Sequence, residues 1–288
     1  MARTEVEGPI ARAGNQAEQA VRSAVRNPWV ERLARFGYAA RGVVYALIGL
    51  LAIQAAFGGR GAIEQQASPE GALQRIAEQS RLLLVLVAIG LIGYALWRFV
   101  QAILDPENKG TDAKGLAKRG SMLASGIAYA GLALLAARIV SGTGNASSGG
   151  GSQEAAAGLM DKPFGRWLVV LAGIAVIVSA LYQIYESYTK KFRKRLKLEE
   201  MDANEERLAT RTGQVGLTAR GIAFFVSGWF LVQAGLRYNP NEARGLGGAL
   251  ETLASQPYGP WLLGLVALGL IAYGAYSFLQ ARYRKIVF

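Results

Sequence analysis

Polar side chains lie on one face of three apolar stretches, and they are the residues of this sequence best placed for chemistry. In the first stretch Tyr94, Arg98 and Gln101 follow the spacing i, i+4 and i+7, which puts them on one face of a helix. Each stretch therefore carries a polar stripe that can pair with another helix or line a polar space. The equivalent residues of the two later stretches are Ser179, Gln183 and Glu186, then Tyr273, Ser277 and Gln280.

Two arginines at the start of other apolar stretches are expected at the same depth as these stripes. Arg41 and Arg220 begin their stretches, and Glu186 is the one acid expected at this level. Ionisable groups inside a membrane are costly, and they tend to pair or to face a polar cavity. We therefore expect this carboxylate to form an ion pair with Arg41, Arg98 or Arg220 and to close a polar cluster.

The stripes have two interpretations besides catalysis. They tie helices together while arginine side chains reach the membrane surface, or they form a vestibule or passive pore for a small anionic or polar solute. Ion-coupled transport is disfavoured because no proline interrupts an apolar stretch and no acid is expected at mid-depth.

Catalysis is disfavoured by what the composition leaves out. The chain has no histidine and no cysteine, so it lacks the commonest general base, the commonest metal ligand and any thiolate. Intramembrane hydrolysis needs an activated nucleophile, and the available serines have only Glu186 or tyrosines as candidate bases. The sequence therefore predicts no enzyme, no cofactor and no metal site. The serines considered are Ser125, Ser179 and Ser227.

The elements that carry these residues are long apolar segments. Of the 288 residues, 52% are hydrophobic and 18% are charged, and the mean hydropathy is +0.22. A soluble domain carries about 25% charged residues, and a helix crosses a bilayer with about 20 residues. We predict six transmembrane helices: Tyr38–Phe57, Leu82–Leu104, Gly120–Val140, Trp167–Tyr188, Gly216–Leu236 and Trp261–Ala281.

The six segments form three pairs that repeat a common pattern. The first helix of each pair carries a small, an aromatic and a small residue at i, i+3 and i+7, which lets a neighbouring helix approach closely. The predicted fold class is an all-α polytopic membrane protein with six transmembrane helices as three parallel two-helix repeats. The three sets are Gly42, Tyr45 and Gly49; Gly126, Tyr129 and Ala133; and Gly221, Phe224 and Gly228. The predicted organisation is a cytoplasmic N-terminal arm at 1–35, repeats at 36–106, 118–190 and 213–283, and a charged cytoplasmic loop at 191–212.

Lysine and arginine are distributed unequally between the two sides of the predicted membrane. The N-terminal segment, the second and fourth loops and the C-terminal segment hold 24 of them, against 8 in the other loops. Because basic loops stay in the cytoplasm, both termini are predicted to be cytoplasmic, in the bacterial inner (plasma) membrane. The loops of the other side each repeat a segment like Gly-Ala-Leu, which predicts short helices on the outer surface.

The fourth loop begins with a basic cluster just beyond the fourth span. Such a cluster attracts anionic headgroups by about 1 kcal/mol per charge, so we expect membrane lipids as its partner. Nucleic acid is not expected, because Phe192 is the one aromatic residue in the run and because the positive-inside rule already accounts for the charge. The candidate lipid contacts are Lys190, Lys191, Arg193, Lys194, Arg195 and Lys197.

The repeated motifs resemble those of a known family. Ala40-Arg41-Gly42-Val43-Val44-Tyr45 recurs as Ala219-Arg220-Gly221-Ile222-Ala223-Phe224, and Gly248-Ala249-Leu250 precedes a Pro-Tyr-Gly turn and Trp261. This arrangement is similar to that of bacterial membrane proteins built on the DUF1206 repeat, over about residues 34–283. The middle repeat departs from it, with Ser125 in place of the arginine. The family has no known function, so the resemblance implies a topology and no chemistry.

These observations favour a non-catalytic membrane protein with a structural, lipid-interaction or partner-binding role. The alternative is a passive channel, or a protein that binds a small polar or anionic solute through the stripes of the cytoplasmic side. The packing of the bundle axis distinguishes them, because a channel requires a water-filled path.

Overall fold

Nine α-helices lie in the part of the chain that the computed structural model describes, residues 28–58, 67–106, 109–144 and 150–286. Most of the predicted N-terminal arm, residues 1–27, lies outside the described residues. Each repeat contains a long helix, a short helix and a second long helix. The helices are α1 (Pro28–Gly58), α2 (Pro69–Gln79), α3 (Arg81–Ile103), α4 (Ala113–Ser141), α5 (Gly150–Met160), α6 (Gly165–Tyr188), α7 (Ala203–Arg237), α8 (Leu246–Ala254) and α9 (Gly259–Tyr283).

The six long helices α1, α3, α4, α6, α7 and α9 are each long and apolar enough to cross a membrane. The predicted all-α class with six spans is therefore confirmed, and so are the short helices predicted between the spans of each repeat. A unit with two spans returns to its starting side, so the three repeats share one orientation. We call the end at which α1, α4 and α7 begin the basic end, and the opposite end the short-helix end.

Glycine is required at the turns that precede α6 and α9. Phe164 and Tyr258 have left-handed backbone, with φ of 60° and 61°. An added Cβ at the next residue, Gly165 or Gly259, would lie 1.9 Å from a carbonyl oxygen of the preceding short helix. The first repeat lacks this glycine and instead begins α3 after Ser80, whose hydroxyl caps the helix by accepting a backbone N–H bond.

The long helices form an open ring in the order α4, α3, α1, α9, α7 and α6. The face with the small and aromatic residues packs against the second long helix of another repeat. An added Cβ at Gly49 would lie 2.6 Å from the carbonyl oxygen of Ala267 in α9. One at Gly126 would lie 2.9 Å from the Phe99 ring in α3, and one at Gly228 would lie 3.0 Å from a carbonyl oxygen of α6. The close approach predicted for this face is confirmed.

The first and third repeats also pack internally, but the middle repeat does not. An added Cβ at Gly37 in α1, or at Gly216 in α7, would lie 2.6 Å from the amide nitrogen of Tyr94 or Tyr273 respectively. Within the described residues, α4 and α6 do not pack along their length. The residues that would pair there stay exposed or half-exposed, and we call them the seam: Gly120, Ser121 and Ala124 on α4, and Ala175, Val178 and Ser179 on α6.

The contacts of the short helices also separate α4 from α6. Helix α2 packs on α1, α3 and α4, whereas α5 packs on α6 and α7. The hydroxyl of Ser152 in α5 donates to the carbonyl of Ala243, in the third repeat, at 2.8 Å. The middle repeat is therefore split, with α4 joined to the first repeat and α5 and α6 joined to the third. The α1–α9 interface connects these two blocks.

Apolar side chains fill the bundle between the polar stripes and the short-helix end. Ile48, Leu84 and Leu270 of the long helices are fully buried. Leu73 of α2 and Leu250 of α8 are fully buried as well and extend the same core. Hydrophobic packing thus holds the half of the bundle that lies away from the basic end.

Candidate functional site

Arg41 occupies the centre of a polar cluster near the basic end. Its side chain is buried, with 2% of the residue exposed. The guanidinium donates to the hydroxyl oxygen of Tyr94 at 2.5 Å and to Ser277 Oγ at 3.1 Å, and it also donates to Gln280 Oε1. The structure therefore brings four of the predicted site residues together, from α1, α3 and α9.

Arg98 and Arg220 extend this cluster on either side. Arg98 Nε donates to the same Tyr94 oxygen at 2.9 Å, and its Nη1 donates to Gln101 Oε1 at 3.1 Å. Arg220 donates from Nε to the Tyr45 hydroxyl at 2.9 Å and from Nη1 to Gln183 Oε1. Two arginines thus share one neutral oxygen, and the third links α7 to α1 and α6.

Tyrosine rings separate the guanidinium groups. Arg41 lies over Tyr38, Tyr94 and Tyr273 at 4.9, 4.8 and 5.1 Å from the ring centroids. Arg220 lies 5.1 Å from the centroid of the same Tyr273 ring, and the ring of Tyr94 packs edge-to-face on that of Tyr129 at 4.5 Å. Desolvated cation–π contacts contribute about 2 kcal/mol each. We call the set the arginine–tyrosine cluster: Arg41, Arg98, Arg220, Tyr38, Tyr45, Tyr94, Tyr129 and Tyr273.

The pairing predicted for Glu186 is wrong. Its carboxylate accepts two hydrogen bonds from Arg195, at 2.9 and 2.7 Å. The chain reverses after α6 into a short 3₁₀ helix, Lys191–Arg195, which returns this arginine to the last turns of α6. Local chain reversal therefore supplies the partner that we expected from another repeat.

The loss of Glu186 as a partner leaves the cluster with excess positive charge. Among the described residues, no carboxylate lies within 4.0 Å of the guanidinium nitrogens of Arg41, Arg98 or Arg220. Arg41 Nε and the Tyr38 hydroxyl are buried without a hydrogen-bond partner. The hydrogen bonds that the three arginines do donate go to neutral oxygens, so the cluster resembles a site for an anion more than an ion-pair network.

The basic residues of the fourth loop fall into two groups. Three form ion pairs with glutamates of the same region: Arg193 with Glu206, Arg195 with Glu186, and Lys197 with Glu200. Lys191 donates to the Tyr185 hydroxyl at 2.6 Å. Lys190 and Lys194 form no ion pair within the described residues, so they and Lys191 are the basic residues of this loop whose charge no carboxylate there neutralises.

An arginine and a serine exchange places between two repeat interfaces. At the α1–α9 interface, Arg41 on the first long helix meets Ser277 on the second. At the α4–α3 interface the equivalent positions hold Ser125 on α4 and Arg98 on α3, and an added Cβ at Gly126 would lie 3.3 Å from Arg98 Cβ. At these equivalent positions each of the two interfaces therefore holds one arginine and one serine. Ser125 departs from the repeat motif, and Arg98 on the facing helix supplies the guanidinium that is missing at its position.

The exchange predicts a rescue. We expect Arg98→Ser to lower the free energy of unfolding in detergent by about 2 kcal/mol, because it removes two charged hydrogen bonds. Adding Ser125→Arg should recover at least half of this loss, because it recreates the arrangement of the α1–α9 interface. Ser125→Arg alone, which places two arginines at one interface, is the control and should give no gain. A double variant no more stable than Arg98→Ser would show that the exchange does not compensate.

The fold and the cluster together define a class: multi-pass membrane proteins of three two-helix repeats with arginines between the repeats. The chain belongs to the family described as Domain of Unknown Function (DUF1206), whose model matches residues 36–105, 120–190 and 215–284. The resemblance stated from the motifs is therefore confirmed. The chain is also similar to an uncharacterized protein, YxxB, of Bacillus subtilis (strain 168), with 36% identity over 262 residues that cover 90% of this chain and 93% of that protein. No solved structure matches the chain.

Sequence reasoning missed part of the cluster. Tyr38 has no repeat signal that singles it out, and only its burial beside Arg41 assigns it to the site. Tyr45 and Tyr129 belong to the small–aromatic–small motif, which we read as a packing feature alone. The convergence of these rings on the arginines depends on which helices are neighbours, and the periodicity of one helix does not contain that information.

Proposed function

We propose that this chain is a non-catalytic protein of the bacterial plasma membrane that binds a phosphate-type anion at the arginine–tyrosine cluster, on the cytoplasmic side. The observation that carries the proposal is the excess positive charge of Arg41, Arg98 and Arg220, which have no carboxylate beside them in the described part of the chain. Charges buried in a membrane need compensation. Tyrosine, serine and glutamine oxygens supply hydrogen bonds but no negative charge, and a bound anion would supply it.

Guanidinium groups suit such a ligand. Their planar fork of donors matches phosphate and carboxylate oxygens, and they are less strongly hydrated than ammonium groups. Arg98 and Arg220 are half-buried whereas Arg41 is buried, so two of the three keep accessible surface for a ligand. The excess of basic residues at this end supports a cytoplasmic placement.

A passive channel is less well supported. The polar side chains occupy only the half of the bundle near the basic end, and fully buried residues such as Ile48, Leu84 and Leu270 fill the other half. A conducting path would require these side chains to move apart, whereas a binding site requires access from one side alone.

The buried serines support a non-catalytic role. Ser227 and Ser277 each donate to the backbone carbonyl one turn earlier in their own helix, at 3.1 and 2.8 Å. Ser187 donates to the carbonyl of Gln214 at 2.6 Å. A nucleophilic serine needs a neighbouring base to take its proton, and a backbone carbonyl is not one.

Thermal unfolding of the purified protein in an uncharged detergent tests the proposal. Inorganic phosphate or phosphatidylglycerol is added at constant ionic strength. We expect at least one of them to raise the unfolding midpoint by about 5 °C near saturation, because a ligand bound only by the native state adds about 2.7 kcal/mol at one hundred times its Kd.

The variants identify the site of the effect. The double variant Arg98→Gln/Arg220→Gln should lose the shift, while Arg211→Gln, which removes an exposed arginine of α7, should keep it. The proposal fails when neither anion shifts the midpoint, or when the double variant responds as strongly as the native protein.

A further inference from the structure

The arginine–tyrosine cluster has an incomplete wall. Tyr94 and Tyr273 occupy equivalent positions in the first and third repeats, where each contacts a guanidinium. The equivalent residue of the middle repeat is Ser179. Its side chain is far smaller than tyrosine, and it belongs to the seam. The third tyrosine expected from the repeat is therefore absent on the side where α4 and α6 do not pack.

The two accessible arginines flank this gap. On one side Gln183, one turn after Ser179, donates to the Ser179 carbonyl at 3.3 Å and accepts a hydrogen bond from Arg220. On the other side Arg98 lies against α4, the other helix of the seam. Arg41, which lies between α1, α3 and α9 and away from the seam, is the buried one. Among the three arginines, the two nearest the seam are therefore the more exposed ones.

The surface around the seam is suited to lipid. Val178 in the seam is 60% exposed, Leu171 on the same face of α6 is 60% exposed, and Ile127 on α4 is 61% exposed. The other seam residues are small or carry a single hydroxyl group. An apolar surface that leads to guanidinium groups matches the two parts of a phospholipid. The surface can contact an acyl chain, and the guanidinium groups can bind the phosphate.

We propose that the seam admits a phospholipid with an anionic headgroup from the same leaflet. Its phosphate binds Arg98 and Arg220 in the space left by the missing third tyrosine, and an acyl chain lies between α4 and α6. This inference rests on the proposed function and names the ligand of the same site. Lys190 and Lys194 follow the end of α6 without ion pairs in the described part of the chain, which favours an anionic over a zwitterionic headgroup.

Native mass spectrometry of the full chain tests the inference. The protein is exchanged from nanodiscs that contain equal amounts of phosphatidylglycerol and phosphatidylcholine, and the retained lipids are counted. We expect phosphatidylglycerol to be retained at least about tenfold over phosphatidylcholine, which corresponds to about 1.4 kcal/mol. Ser179→Tyr, which supplies the missing ring, should reduce its retention at least about fivefold.

Two further variants separate occupation of the seam from a general surface effect. Ala124→Trp places a large side chain at an exposed seam position on α4 and should reduce retention as Ser179→Tyr does. Leu181→Tyr, which is 52% exposed on a face of α6 that points away from Ser179, should retain phosphatidylglycerol like the native chain. Equal unfolding midpoints in lipid-free detergent show that the variants fold.

The outcomes also separate this inference from the proposed function. Phosphatidylglycerol retention that is unchanged in Ser179→Tyr and Ala124→Trp overturns the seam as the binding place. Stabilisation by inorganic phosphate without selective lipid retention overturns the lipid ligand and leaves anion binding intact. When neither phosphate nor lipid binds, both proposals fall.

Discussion

Gly49→Leu should lower the free energy of unfolding by about 3 kcal/mol or more, or prevent folding, because α1 and α9 meet there backbone to backbone. An added Cβ would lie 2.6 Å from the carbonyl oxygen of Ala267 and from Ile271 Cγ1. About two turns earlier in α1, an added Cβ at Gly42 would lie 3.0 Å from the carbonyl oxygen of Gly274. A leucine therefore forces the two helices apart at the interface that joins the two blocks. Reversible unfolding in detergent, or in lipid with a denaturing detergent, measures the change.

Gly131→Leu is the matched control. Gly131 is exposed on α4, and no heavy atom lies within 4 Å of an added Cβ there. Leucine has a higher helix propensity than glycine by somewhat less than 1 kcal/mol, so this variant should be as stable as the native chain or slightly more. Equal stability of Gly49→Leu and Gly131→Leu would contradict the close α1–α9 contact.

Arg41→Leu should lower the free energy of unfolding by about 3 kcal/mol when measured without added anion. The variant removes the hydrogen bonds to Tyr94, Ser277 and Gln280 and the contacts with three tyrosine rings. Tyr94 keeps its bond from Arg98, but Gln280 Oε1 becomes a buried acceptor without a donor, and such a group costs about 1–3 kcal/mol. The loss therefore reflects an orphaned acceptor as much as a lost contact.

Further substitutions test that reason. Arg41→Leu/Gln280→Leu/Tyr276→Phe removes the orphaned acceptor and also the Tyr276 hydroxyl to which Gln280 Nε2 donates, and it should recover about 1 kcal/mol relative to Arg41→Leu. Arg211→Gln, at an exposed position of α7, should change stability by less than about 0.5 kcal/mol. Arg41→Leu as stable as the native chain would mean that repulsion among the three arginines outweighs their hydrogen bonds.

The architecture is predictable from the sequence because hydropathy and helical periodicity are local properties. Apolar length gives the six spans, and the spacing of Gly42, Tyr45 and Gly49 marks the face that packs on another repeat. The polar stripes, together with Arg41 and Arg220 at the same predicted depth, likewise identify five of the eight residues of the arginine–tyrosine cluster.

The partners of these residues are not local properties. Glu186 pairs with Arg195 because the chain turns back after α6, and a repeat alignment does not show that turn. The exchange of Arg98 and Ser125 is visible in the alignment as a mismatch, and only the α3–α4 contact reveals it as compensation. The seam was not predictable for the same reason, because the small residues of α4 and α6 are compatible with a packed interface as well as with an open one.

The first and last long helices are neighbours in this bundle. Helix α1 packs on α9, and Arg35 Nη1 donates to the carbonyl of Ala281 at 2.9 Å. A circularly permuted chain, with α9 linked to α1 and new ends between α4 and α5, would therefore keep each helix–helix interface. The order in which the three repeats follow one another along the chain is therefore not what fixes the contacts between their helices.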